Sequence, residues 1–176
     1  MGKVYLESVI KRMMTYKILG DRTFSQLSEK DFFFSPGPGS NSIAVIVKHM
    51  SGNMISRWTN FLTEDGEKPG RNREEEFTAD EAGGVAAVMD AWNKGWACLM
   101  DTLRSLKEDD LLRTIYIRHE PLSAVDAINR QLAHYPHHVG QIVYIGKLLK
   151  GDRWESLSIP KGASDQFNQQ MTQQFK

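Results

Sequence analysis

The chain has 176 residues, with 22 Lys and Arg balanced by 22 Asp and Glu, five His and a single Cys. At about 150 residues per domain this is one domain, spanning 1–176, and a fold of that size buries roughly 70% of the surface its unfolded chain exposes, so it needs no disulfide or structural metal. One Cys excludes an internal disulfide and any cysteine-based metal cluster, which fits a reducing cytoplasm; zero net charge argues against nucleic acid as a partner, and no run of about 18 apolar residues could span a membrane.

The first helix is predicted over about Lys3 to Leu19. Tyr5, Val9, Met13 and Tyr16 form one apolar stripe, widened by Leu6, Ile10 and Met14, and Gly20 follows as a stop signal. Its opening, MGKVYLESVIKRMM, has neither the apolar core nor the cleavage site of a signal peptide. Residues 21–42 read as a connector anchored by Phe32, Phe33 and Phe34, with Ser-Pro-Gly-Pro-Gly-Ser at 35–40 barred from helix or central strand. Asn41 or Ser42 then caps a second helix, about Ile43 to Leu62, whose face carries Ile43, Val47, Met50, Met54, Trp58 and Phe61. Residues 64–82 are polar apart from Phe77 and read as a solvated loop pinned by that ring.

A third helix, about Gly84 to Leu106, is lined by Val85, Val88, Trp92, Trp96, Leu99, Leu103 and Leu106. TIYIRHE at 114–120 reads as briefly extended up to Pro121, with His119 a loop histidine. The fourth helix begins behind Ser123 as N-cap. Val125, Ile128, Leu132, Tyr135, Val139, Ile142, Gly146 and Leu149 step alternately by three and four, the seam of a helix packed near-parallel or antiparallel to others, and Gly151 ends it. Four long helices without strand alternation or repeats indicate an all-α four-helix bundle, with a long loop between helices 2 and 3 and a C-terminal extension from Asp152 that covers the fold and frays at its Gln-rich end.

Chemistry is concentrated in the histidines. His134 and His138, four residues apart on the fourth helix, project from one face about 5–6 Å apart at Cβ and can share one divalent ion. His49 flanks the apolar stripe of the second helix. Alone it reads as a hydrogen-bonded edge residue, but a third imidazole from a facing helix completes a three-ligand site with an open position. Asn53, one turn after His49, and Gln141, three residues after His138, can each offer an amide to orient a ligand or bound molecule. His137 points about 100° away from His138, toward the surface or behind the site. Pro136, between the two ligands, removes the bond to the Leu132 carbonyl and predicts a kink or a restart at His137. There is no Glu-x-x-His, GxxxxGK[ST] or GxGxxG, and Cys98 and the tryptophans Trp58, Trp92 and Trp96 read as core.

His49 within VIVKHMSGN, followed far downstream by HYPHHVGQIVY (134–144), resembles the DinB-like, or YfiT/DinB, superfamily. The segments WTNFLTEDGEKPGRNREEEF (58–77) and LSIPKGASDQFN (157–168) look like a largely uncharacterised bacterial branch of it, and the resemblance covers nearly the whole chain. It implies a DinB/YfiT-like four-helix bundle, commonly a homodimer, with zinc or nickel held by three histidines. The matching positions are His49, His134 and His138, and Pro136 departs from the usual uninterrupted helix. Related proteins include transferases and isomerases that use low-molecular-weight thiols such as bacillithiol or mycothiol. The expectation is therefore a metal-dependent enzyme on a small-molecule substrate, a thiol-dependent transferase first. A metal-dependent hydrolase and a non-catalytic metal-binding bundle stay open. No acid or base is assigned: Glu120 and Glu74, Glu75 and Glu76 qualify only if their loops fold over the site.

Overall fold

The computed structural model describes residues 1–78 and 82–175, so three positions of the polar segment (79–81) and the last residue lie outside it. Six α-helices and one hairpin follow in order: α1 (Gly2–Phe24), α2 (Ile43–Trp58), α3 (Arg73–Glu76), α4 (Gly84–Ser105), β1 (Thr114–Ile117), β2 (Glu120–Ser123), α5 (Ala124–Lys150) and α6 (Ser164–Gln174). The four long helices are α1, α2, α4 and α5. They pack in a closed ring, α2 on α4, α4 on α1, α1 on α5 and α5 on α2, forming a helical bundle around one apolar core.

The apolar stripes are what close this ring. Leu6, Val9 and Met13 of α1 are buried with Val47, Met50, Met54 and Trp58 of α2, Trp92, Trp96, Leu99 and Leu103 of α4, and Ile128, Tyr135, Val139 and Ile142 of α5. The caps match their chemistry: the hydroxyl of Ser42 accepts from Val45 N–H and that of Ser123 from Asp126 N–H, each satisfying an orphan donor at a helix start.

Several boundaries differ from the sequence expectation. Gly20 does not end α1, which continues one turn to Phe24. It is instead a close-approach position, where a Cβ would stand 2.4 Å from the Trp92 ring. The Trp92 indole N–H then donates to Asp21 at 2.8 Å. The second helix ends at Trp58, before Leu62. TIYIRHE spans the first arm and the turn of an antiparallel hairpin and ends on the first residue of β2, with Pro121 inside β2 opposite Tyr116. The turn places Arg118 and His119 at φ +55° and +65°, a conformation that favours glycine, and Asp65 stabilises it by accepting both backbone N–H groups at 2.8 Å. Pro136 neither ends nor restarts a helix, since α5 runs through it from Ala124 to Lys150. The extension carries a helical turn at Gly151–Arg153 and then α6, whose residues are all exposed or half-exposed.

A buried hydrogen-bond chain ties α2 to α5. The Trp58 indole donates to the Tyr135 hydroxyl at 3.0 Å, and that hydroxyl donates to Asn53 Oδ1 at 3.0 Å. Burial pushes the Tyr135 phenol well above its usual range, so it stays protonated and able to donate.

The closeness of α2 and α4 rests on Gly95, where a Cβ would stand 2.9 Å from the Ser51 Cα. We expect Gly95→Ala to cost about 1–3 kcal/mol by forcing the helices apart. Gly140→Ala, on the exposed face of α5 with nothing within 4 Å, should instead gain about 0.5–1 kcal/mol of helix propensity. Urea midpoints of the two variants measure both effects.

Candidate metal centre

His49 projects from α2, and His134 and His138 project from α5, one turn apart. The three imidazoles converge: one ligating nitrogen from each lies within 4.8 Å of the others. Ring centroids are 4.7 Å apart for His134 and His138, 4.9 Å for His49 and His138, and 5.6 Å for His49 and His134. His49 is buried and the other two are half-buried, so the site lies at the core edge and opens onto a cleft of about 440 Å³.

Each Nδ1 is committed to an oxygen. His49 Nδ1 donates to Glu76 Oε2 at 2.9 Å, His134 Nδ1 to Gln131 Oε1 at 3.2 Å, and His138 Nδ1 to Gln141 Oε1 at 2.8 Å. A carboxylate can only accept, so the proton of neutral His49 sits on Nδ1. Gln141 is oriented by its own second contact, because its amide NH₂ faces His137 Nε2 at 3.3 Å and leaves Oε1 for His138. The three Nε2 atoms therefore carry lone pairs. Those of His134 and His138 face each other at 3.0 Å. Two neutral imidazole lone pairs at that distance repel unless a cation or a proton lies between them. Two nitrogens on one tetrahedral zinc stand about 3.3 Å apart. Three neutral imidazole donors with oxygen-tethered Nδ1 atoms fit a borderline divalent ion, with room for a further ligand from the cleft.

Electrostatics favour the neutral form. Burial, followed by the neighbouring His138, His49 and Arg57, drives the His134 pKa down to about 3. Burial also lowers His138, opposed by its Gln141 hydrogen bond.

Glu76 reaches His49 because the polar segment folds over the site. The expectation of a solvated loop pinned by Phe77 is corrected at its inner residues, where Gly66 and Glu76 are buried, while Glu64, Pro69, Gly70 and Asn72 to Glu75 are exposed and 79–81 lie outside the described residues. Glu76 is buried, and Arg71 grips it with two parallel hydrogen bonds, Nε to Oε1 at 2.7 Å and a terminal nitrogen to Oε2 at 2.8 Å. Desolvation works against the Glu76 charge, but His49 and Arg71 outweigh it and hold the carboxyl below its usual range. Arg71 in turn sits above its ordinary value: burial opposes its charge, and Glu76 and Glu67 more than offset this. Gly52 makes room for the carboxylate, since a Cβ there would lie 2.2 Å from Glu76 Oε1. Phe77 covers the His49 ring at 4.9 Å, with the Arg73 guanidinium 5.0 Å from the Phe77 centroid.

The remaining candidates fall as follows. Asn53 lines the cleft while its Oδ1 takes the Tyr135 hydroxyl, and Gln141 stands behind His138. His137 lines the cleft mouth and steadies Gln141. His119 is exposed at the hairpin turn, outside the cleft lining. Glu120 is exposed and faces Arg130 at 3.4 Å. Sequence reasoning missed Gln131, although its three-residue spacing to His134 mirrors that of His138 to Gln141. It also missed Arg71 and the service of Glu76 to His49, which no periodicity signals.

The profile of a family described as "Protein of unknown function (DUF1572)" matches residues 1–163. No curated protein matches the chain.

Glu76→Gln should weaken zinc binding about 10–100-fold, because it loosens the tether that aims His49. Gly52→Ala should act in the same direction by displacing the same carboxylate. Competition against a chromophoric chelator reads both affinities.

Proposed function

Starting from a chain that belongs to the DUF1572 family of proteins of unknown function, we propose that it is a DinB-like, metal-dependent enzyme acting on small molecules. In this reading His49, His134 and His138 hold a zinc or nickel ion, and the reaction is a transfer involving a low-molecular-weight thiol such as bacillithiol. The observation that carries the reading is the opposed pair of Nε2 atoms, 3.0 Å apart, with both Nδ1 atoms tethered elsewhere. The superfamily resemblance supports it too, because the three positions it singles out are those whose rings meet.

The chain's own residues divide the work. The three imidazoles supply neutral donors, and Gln131, Gln141 and Glu76 fix their tautomers and ring planes. Glu76 also fixes which His49 nitrogen faces the site. It serves as a positioning group and not as a proton acceptor, since both its oxygens are engaged by Arg71 and His49. Phe77 and the folded segment shield the buried side of the site from water. A divalent ion held there supplies Lewis acidity, which lowers the pKa of a thiol or water presented from the cleft.

Two observations favour thiol transfer over hydrolysis. None of the described residues lining the cleft carries a carboxylate that could serve as general base for water. The only Cys of the chain, Cys98, lies outside the lining, next to Thr59 at 3.6 Å, so the sulfur must come from a bound small thiol. The proposal includes assembly as a homodimer in the cytoplasm. No helix among the described residues is long and apolar enough to cross a membrane.

Elemental analysis should find one divalent ion per chain in the wild type. It should find strong depletion in His49→Ala, His134→Ala and His138→Ala, and retention in His137→Ala. With metal-loaded protein, bacillithiol and a panel of electrophiles, thiol consumption should exceed that of His49→Ala for at least one electrophile. Equal rates across the panel would refute thiol transfer and leave a metal-dependent hydrolase or a non-catalytic metal-binding bundle.

A further inference from the structure

The cleft in front of the imidazoles has an unusual wall. Five of the twelve described residues lining it are arginines, Arg57, Arg71, Arg73, Arg118 and Arg130, and none is a lysine or an acid. The chain has ten arginines in all and no net charge, so half of them are gathered at one concavity. They arrive from separate places: Arg57 from α2, Arg71 from the loop before α3, Arg73 from α3, Arg118 from the β1–β2 turn and Arg130 from α5. Guanidinium forks match the paired oxygens of carboxylates and phosphates in a way that ammonium groups do not.

The five divide into two classes by what already holds them. Arg57 is buried and donates to the Gly66 carbonyl and to Glu67, the latter at 2.9 Å. Arg71 is taken up by Glu76. The other three are about half exposed. Arg73 and Arg130 each meet one exposed carboxylate at 3.4 Å, Glu74 and Glu120 respectively. Exposed pairs of that kind are worth about 0–1 kcal/mol and yield readily to a better anion. Arg118 gives only its Nε to Glu67, at 3.0 Å. Glu67 is shared with Arg57 and, at 3.6 Å, with Arg71. Three guanidiniums, Arg57, Arg71 and Arg118, thus share two carboxylates, Glu67 and Glu76, so Arg118 keeps its terminal nitrogens for another partner. The turn that presents Arg118 holds two non-glycine residues at positive φ, a conformation that persists only because Asp65 clamps it.

We propose that this cleft recognises the anionic head of its substrate, a small molecule bearing clustered carboxylates or a phosphate. Arg73, Arg118 and Arg130 clasp that head, and its reactive end is directed at the three imidazoles. The cleft volume, about 440 Å³, suits a metabolite-sized ligand. This names the substrate class of the site already described, and rests on the metal-centre reading only for where the reactive end lies.

Isothermal titration of the full chain, stripped of metal with a chelator that is then removed, tests the proposal with citrate and with inorganic phosphate as probes. We expect saturable binding of at least one probe, weakening as salt rises. Arg73→Ala and Arg130→Ala should each reduce affinity at least fivefold and the double variant more, with melting temperatures unchanged. Arg104→Ala, on an exposed face outside the cleft, should bind as wild type. Citrate binding assigns a polycarboxylate head and phosphate binding a phosphate ester. Absence of both, or binding indifferent to Arg73 and Arg130, overturns the proposal. Zinc titration of the same samples separates the two readings: zinc binding without anion binding refutes the anionic substrate alone, and anion binding without zinc binding refutes the metal centre alone.

Discussion

The hydrogen-bond chain Trp58–Tyr135–Asn53 is the constraint on which the site depends. Its side chains are buried between α2 and α5, where a polar group without its partner costs about 1–3 kcal/mol, so these two helices have essentially one register that satisfies all three side chains. Asn53 is one turn beyond His49 on α2, and Tyr135 is the immediate neighbour of His134 on α5. Joining Asn53 to Tyr135 therefore brings His49 opposite the His134–His138 face. Close packing reinforces the register from outside, with Gly95 of α4 against the α2 backbone and Gly20 of α1 under Trp92.

Onto that rigid frame the chain adds a charged cover. Burying Arg71 and Glu76, with side chains only 5% and 7% exposed, is costly, and an apolar pair of similar volume would hold the loop as well or better. What the ion pair provides instead is direction. Ionised, Glu76 accepts from His49 and Arg71 with both oxygens and donates to neither, and Arg71 favours that charge inside the fold. The same network leaves guanidiniums and imidazoles lining the cleft, while the carboxylates that pair with the arginines lie outside the lining. In a chain of no net charge, half of the arginines are thereby gathered beside the imidazole cluster.

The polar segment also illustrates why composition misleads. EDGEKPGRNREEEF is as hydrophilic as a surface loop, and from residue counts it reads as one. Its inner residues are nevertheless held in the fold by pairwise satisfaction: Arg57 with Glu67, Arg71 with Glu76, Ser56 Oγ donating to the Gly66 carbonyl at 2.7 Å, and Asp65 with the hairpin turn. Hydropathy assigns each of these groups a cost of burial and has no means of crediting the partner that removes it.

The sequence by itself determined the four long helices, their apolar faces, the Ser42 and Ser123 caps, and the spacing that sets His134 and His138 on one side of α5. Those follow from local periodicity and from side chains reaching their own backbone. Only the tertiary structure decided that α1 passes through Gly20 and α5 through Pro136. There, packing against Trp92 and the buried seam of α5 outweighs a local stop signal. It alone brought His49 across to the other two imidazoles, placed Glu76 behind it, and gathered five arginines from distant parts of the chain. Each of those is a contact between residues far apart in sequence, fixed by which buried polar groups can find partners, and no short-range pattern encodes it.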